Sequence, residues 1–108
     1  MENCIFCKII KKEIPSNILY ESDQIIAFPD IHPSAEHHIL LVPKQHIASI
    51  SDLDGHGDLL SEIYKVAVKL AKENNFDSIF RVVVNAGLAQ KIPHLHFHLL
   101  GGHWKRKV

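Results

Sequence analysis

The segment HLHFHLL, residues 94–100, constrains this chain more than any other. Histidine takes every second position, His94, His96 and His98, and leucine or phenylalanine fills the gaps. A strand turns successive side chains to opposite faces, so this period places three imidazoles on one face and Leu95, Phe97 and Leu99 on the other. A helix would align His94 with His98 and send His96 elsewhere, and Pro93 with β-favouring Phe97 suits a strand better. The zinc-protease pattern H-E-x-x-H is excluded, because leucine follows His94. Along a strand the outer two histidines lie about 13 Å apart. Metal–nitrogen bonds are only about 2 Å long, so the three cannot share one ion. One of them can still join ligands from elsewhere. A row of imidazoles also suits attack on phosphorus. Neutral imidazole is nucleophilic near pH 7, a neighbour can hold its tautomer, and a third can donate a proton.

Around that segment the chain reads as one domain, residues 1–108. Asn3 is the expected N-cap of a short helix over 4–11, with Ile5, Phe6, Ile9 and Ile10 at helical spacing. ILYES (18–22) and IIAFPD (25–30) flank the polar turn Ser22-Asp23-Gln24 and predict a β-hairpin. HHILLVP (37–43) predicts a third strand. Ser51 and Asp52 signal a helix start, the stripe Leu59, Leu60, Ile63, Val66, Ala67, Leu70 and Ala71 carries it, and Asn74-Asn75 stop it. IFRVVVN (79–85) and HLHFHLL complete the strands, with Gly101-Gly102 after them. The predicted class is α+β: one antiparallel sheet with helices on one face. The β-rich end is able to extend its sheet across a dimer.

Twelve basic residues balance twelve acidic ones. That excludes a protein holding nucleic acid or a membrane by bulk electrostatics. The local excess Lys105-Arg106-Lys107 reads as a solvated end. The chain has neither a signal-type apolar segment nor a long apolar run, which predicts a cytoplasmic protein. In that compartment Cys4 and Cys7, three apart on one helix face, read as metal ligands or a redox pair. A helix N-terminus lowers thiol pKa and favours either role. The redox reading wants a preceding strand, which is missing. His32, His37, His56 and His103 read as surface residues.

Several segments in order resemble the histidine triad family, and within it the Hint branch: IFCKIIKKEIP (5–15), AFPDIHP (27–33), ILLVPKQHI (39–47), VVNAG (83–87) and the triad with Gly101-Gly102. The resemblance implies a five-stranded antiparallel sheet with two helices, doubled into ten strands in a homodimer. It implies hydrolysis at the α-phosphorus of purine nucleoside phosphoramidates, with no organic cofactor. On the matching positions, His96 is the nucleophile that forms a nucleotidyl intermediate, and His98 hydrogen-bonds the phosphate or leaving group. His94 and His38 steady the nucleophile. Asp30 takes the ribose hydroxyls. Phe6, Ile9, Phe28, Ile31 and Ile92 form the apolar slot for the base, and Asn85 and Lys91 lie on the phosphate side. Bacterial members resembling this chain carry structural zinc, which here implies Cys4, Cys7, His46 and His94, a Cys₂His₂ set.

Within that family, the resemblance implies water as the final acceptor, because members that transfer to sugar phosphates tend to have glutamine at position 98. It also implies a phosphoramidase, because the family's dinucleoside polyphosphate hydrolases usually have more than the ten residues found here after His98. The chain departs from the branch in the loop before the triad, Asn85-Ala-Gly87-Leu-Ala-Gln90-Lys91, which is shorter, and Lys91 stands in place of a hydroxyl residue. Trp104 also follows the glycines sooner, so it is not assigned a role at the site. These departures keep a second reading in view, a nucleotide-binding or scaffold protein.

Overall fold

The computed structural model describes residues 3–104; the basic tail lies outside them, as does the side chain of Trp104. Helix α1 spans Ile5–Ile10. Its N-cap is Cys4 rather than Asn3: the Cys4 Sγ accepts from the Cys7 backbone N–H at 3.4 Å. Strands β1 (Tyr20–Glu21) and β2 (Ile25–Pro29) form the expected hairpin. Its turn is closed by the Ser22 hydroxyl, which accepts from the N–H groups of Gln24 and Ile25. Strand β3, Ala35–Pro43, starts two residues before the sequence signal and changes register between Ala35 and His37. Ser51 and Asp52 belong to a short 3₁₀ turn, Ile50–Asp52, and helix α2 runs later, Gly57–Glu73. It ends at Asn74, whose amide bonds back to the Leu70 carbonyl, and at Asn75, which takes the left-handed φ of 62° that asparagine tolerates. Strand β4 is Phe80–Val84.

Strand β5 begins at Phe97, three residues after the predicted start, and runs through both glycines to Trp104. Pro93 has no N–H to give. The His94 N–H bonds the Ile92 carbonyl at 2.8 Å and the Leu95 N–H bonds the Ile47 carbonyl at 2.7 Å, so 92–95 is tied elsewhere than to the ladder. Gly101 lies within the strand because a Cβ there would stand 2.0 Å from the ring of Phe76.

All neighbours are antiparallel, in the order β1-β2-β3-β5-β4. Residues of alternating parity then separate two clusters. Ile25, Ala27, Ile39, Leu41, Leu95, Phe97 and Leu99 pack under α2, through Ile63, Val66, Ala67, Leu70 and Ala71. Ile26, Phe28, Leu40 and Val42 pack under α1, through Phe6 and Ile9. The two helices therefore lie on opposite faces of the sheet, not on one. Strands β2 and β3 are apolar on both faces, with burial running unbroken through Ile25–Phe28 and His38–Pro43, which a one-sided layer does not require. No helix among the described residues is long and apolar enough to cross a membrane.

Candidate active site and metal-ligand cluster

The α1 face of the sheet carries the imidazoles. His94 and His96 precede β5 and His98 lies within it, yet the period-two alternation holds through both stretches: Leu95, Phe97 and Leu99 enter the opposite core. The ring of Phe6 packs edge-on against both His94 and His96, at 5.9 and 5.0 Å between centroids. The three imidazoles nevertheless have different surroundings.

His94 is fully buried. Its Nε2 lies 2.8 Å from the Pro43 carbonyl, and a carbonyl only accepts, so Nε2 carries the proton. Nδ1 is left with its lone pair, facing Cys4 Sγ at 3.3 Å and Cys7 Sγ at 3.6 Å. Cys7 Sγ also meets His46 Nδ1 at 3.2 Å, and the four ligand atoms all lie within 4.8 Å of one another. Tetrahedral zinc with ordinary bond lengths separates sulfur from nitrogen by about 3.5 Å, so the set fits such an ion. Burial holds His94 below its ordinary pKa, keeping it neutral as a ligand must be. The helix N-terminus does not dominate at Cys7. Burial pushes that thiol up, and the neighbouring Cys4 pushes it further, a strain that a divalent cation relieves.

His96 is anchored by the backbone of His94. Its Nδ1 lies 2.8 Å from the His94 carbonyl and donates to it, leaving the Nε2 lone pair unprotonated. His38 has the opposite anchor. The Ser34 N–H donates to His38 Nδ1 at 3.0 Å, so Nε2 carries the proton. That Nε2–H donates to His98 Nδ1 at 2.9 Å and lies 3.4 Å from Asp30 Oδ2. His98 must then carry its own proton on Nε2, which is buried and finds no partner among the described residues. The rings of His96 and His98 stand 5.0 Å apart. A bare lone pair and an unspent N–H donor thus sit side by side. The Asp30 carboxylate, His38 and His98 also converge closely enough to hold an ion. The Ser34 N–H opposes it, because moving the His38 proton to Nδ1 would set two donors against each other.

Burial holds His38 below its ordinary pKa, with Asp30 pulling the other way. His98 is pushed down to about 4, by burial first and then by the charges of His96 and His38.

A cavity of about 580 Å³ opens over these groups. It brings together Phe6, Ile9, Phe28, Asp30, Ile31, Asn85, Lys91, Ile92, His96 and His98, every residue placed in the nucleotide pocket from sequence. Phe6, Ile9 and Phe28 are buried and serve both core and wall, whereas Ile31 is 85% exposed at the rim. His94 is not part of the lining and belongs to the sulfur cluster behind it. His38 reaches His98, and no hydrogen bond among the described residues ties it to His96. Sequence reasoning missed the Pro43 carbonyl and the Ser34 N–H, since backbone groups leave no trace in residue type. It also missed Ser16 and His32, exposed polar residues of the cavity lining. His37, expected at the surface, is half-buried and stacks on Phe76 at 4.5 Å.

Sheet, cavity and alternating imidazoles together define a protein that presents a histidine row to a cavity over one face of an antiparallel sheet. The family model described as scavenger mRNA decapping enzyme C-term binding matches residues 3–107. A 14 kDa zinc-binding protein of Zea mays is 42% identical over 103 residues, 91% of this chain and 80% of that protein. Among solved structures, a histidine triad protein from Clostridium difficile superposes with a TM-score of 0.94 at 45% identity, covering 100% of this chain and 97% of the other. A HIT family hydrolase from Legionella pneumophila gives 0.90 at 43%, covering 94% of each. A histidine triad nucleotide-binding protein from Candida albicans gives 0.81 at 39%, covering 98% and 85%. The chain belongs to the histidine triad family.

Proposed function

We propose that the protein is a nucleotide hydrolase acting at the α-phosphorus of purine nucleoside phosphoramidates through a covalent nucleotidyl-His96 intermediate. The observation that carries this reading is the pair of opposed tautomers at the cavity floor. With the base in the slot of Phe6, Ile9, Phe28 and Ile31 and the ribose hydroxyls on Asp30, the phosphorus comes over His96. The His96 Nε2 lone pair forms the N–P bond. The P–N bond to the leaving amine breaks while the His98 Nε2–H hydrogen-bonds the departing nitrogen, which takes its proton from solvent. Water then attacks phosphorus, gives up its proton to solvent and frees His96. His38 holds the His98 tautomer. The names of a hydrolase and a nucleotide-binding protein among the related structures support the same reading.

In this reading Cys4, Cys7, His46 and His94 hold zinc, as the name of the maize relative also suggests. The metal supplies a structural tie between α1 and the segment before β5. A second copy joins through β4, since β1 has two residues and β4 offers a five-residue edge with half-buried side chains. The dimer then shares a ten-stranded sheet in the cytoplasm.

Adenosine 5′-phosphoramidate tests the chemistry. Wild type releases AMP, a rapid quench traps label on His96, and His96→Ala loses at least about a thousandfold in kcat/KM. Wild-type turnover by His96→Ala defeats the mechanism. Tight nucleotide binding by a dimeric wild type that turns over no phosphoramidate places the protein in the binding class.

A further inference from the structure

The cavity carries charge at two opposite ends. Asp30 directly follows β2, and Asn85 directly follows β4, with β3 and β5 between. Three inter-strand spacings separate those ends by about 14 Å. His98 sits between them, two spacings from β2 and one from β4, paired across the sheet with Leu40 on one side and Val83 on the other. If the ribose is at Asp30 and phosphorus at His96, the group leaving phosphorus extends toward the β4 end and its following loop. Lys91 lines the cavity from that loop.

Three observations bear on Lys91. It and Asp30 are the lysine, arginine, aspartate and glutamate side chains of the cavity lining, so it supplies the fixed positive charge. Among the described residues no carboxylate lies within ion-pair distance of it, so its charge is not neutralised within the cavity. Its chain neighbours are also held on both sides. The Gln90 amide donates to the Ala48 carbonyl at 2.7 Å and to the Ile92 carbonyl at 2.8 Å, and the latter also accepts from the His94 N–H. The cation therefore rides on a loop fastened to the triad segment itself.

We propose that Lys91 makes the β4 end of the cavity a subsite for an anionic leaving group, so that the preferred substrates carry a negative charge on the departing side. The inference rests on the phosphoramidate reading and names the substrate class within it. Two leaving groups share this chemistry: an amino acid joined to phosphorus through its nitrogen with its carboxylate free, and a phosphate-terminated group joined through oxygen. With the amino acid, the carboxylate stays on the amine that departs, and the bonds made and broken are those of the hydrolysis above.

The test uses matched nucleoside 5′-phosphoramidates whose amine is an amino acid or its uncharged methyl ester, beside nucleoside diphosphate and triphosphate. Wild type favours the free carboxylate over the ester by about tenfold in kcat/KM, as one charge-assisted contact at a rim provides. Lys91→Met brings that ratio to about one, Lys91→Glu inverts it, and Lys91→Arg keeps it. Added salt erodes it in wild type. The amino acid or phosphate series with the larger Lys91-dependent change identifies the source of the anion. A wild type with no preference, or a preference that survives Lys91→Met, overturns the proposal. Dissociation constants of the same ligands for His96→Ala decide the question even without turnover: the ratio there still tracks Lys91 if the subsite is real, and its absence refutes it. Failure of hydrolysis alone strikes the reaction, not the subsite.

Discussion

Two clusters of histidine lie against each other, and their residues are of nearly the same kind. In one, His94 and His46 meet Cys4 and Cys7; in the other, His38 and His98 meet Asp30, and in each the ligand atoms lie within 4.8 Å. Their chemistry diverges because of one backbone atom apiece. A carbonyl, from Pro43, takes the proton of His94 and leaves a lone pair facing two sulfurs. An N–H, from Ser34, takes the lone pair of His38 and forces its proton toward His98. An acceptor behind an imidazole leaves a bare lone pair on its far nitrogen, and a donor behind it sends the proton forward instead. His94 also connects the two: its ring faces the sulfurs, while its carbonyl fixes the tautomer of His96, the neighbour of His98.

The comparison breaks most visibly if stability and rate fail to separate. Cys7→Ser, or a strong chelator on wild type, should lower the melting temperature by about 10 °C or more, because metal binding at such a set is folding free energy. Elemental analysis should find about one zinc per chain before and none after. A metal-free wild type that melts unchanged contradicts the assignment. At the other cluster, His98→Ala should lower kcat/KM by roughly 10²- to 10⁴-fold. Its metal content and melting temperature should stay close to wild type, and loss of zinc there would merge the clusters.

Smaller effects follow from protons. With His98 pushed down to about 4 from its ordinary 6.5, its neutral form persists well below pH 6.5, so the His98-dependent rate should hold to about pH 5 and fall toward pH 4. The sign for stability is set by the same shift. The unfolded chain takes up a proton at His98 before the folded chain does, so its contribution is complete above pH 6.5 and is lost as pH falls from 6.5 to about 4. Urea denaturation across that window should show a shallower loss for His98→Asn than for wild type. Equal slopes would mean that His98 is not held neutral.

The alternation of HLHFHLL was legible, and with it the sorting of imidazoles from core residues, because period two needs no partner strand to be read. The edges of β5 were not. Pro93 and the detour of the Leu95 N–H to Ile47 depend on a segment far away in sequence. The same reason hid the contact of His38 with His98, which needs β5 to insert between β3 and β4. The placement of α1 and α2 on opposite faces was also hidden. Ile25–Phe28 of β2 and Ile39–Pro43 of β3 are apolar without a break, so parity alone could not say which face each helix covers. Cys4 and Cys7 were readable as a pair, but the carbonyl that turns His94 into their partner was not.

Long-range ¹H–¹⁵N correlation of the histidine side chains at neutral pH tests the central claim most directly. The fold predicts the proton on Nε2 in His38, His94 and His98, and on Nδ1 in His96 alone of the four. His96 protonated on Nε2, or His38 on Nδ1, would contradict the account, since the cavity floor would then lack its bare nucleophile or its directed proton.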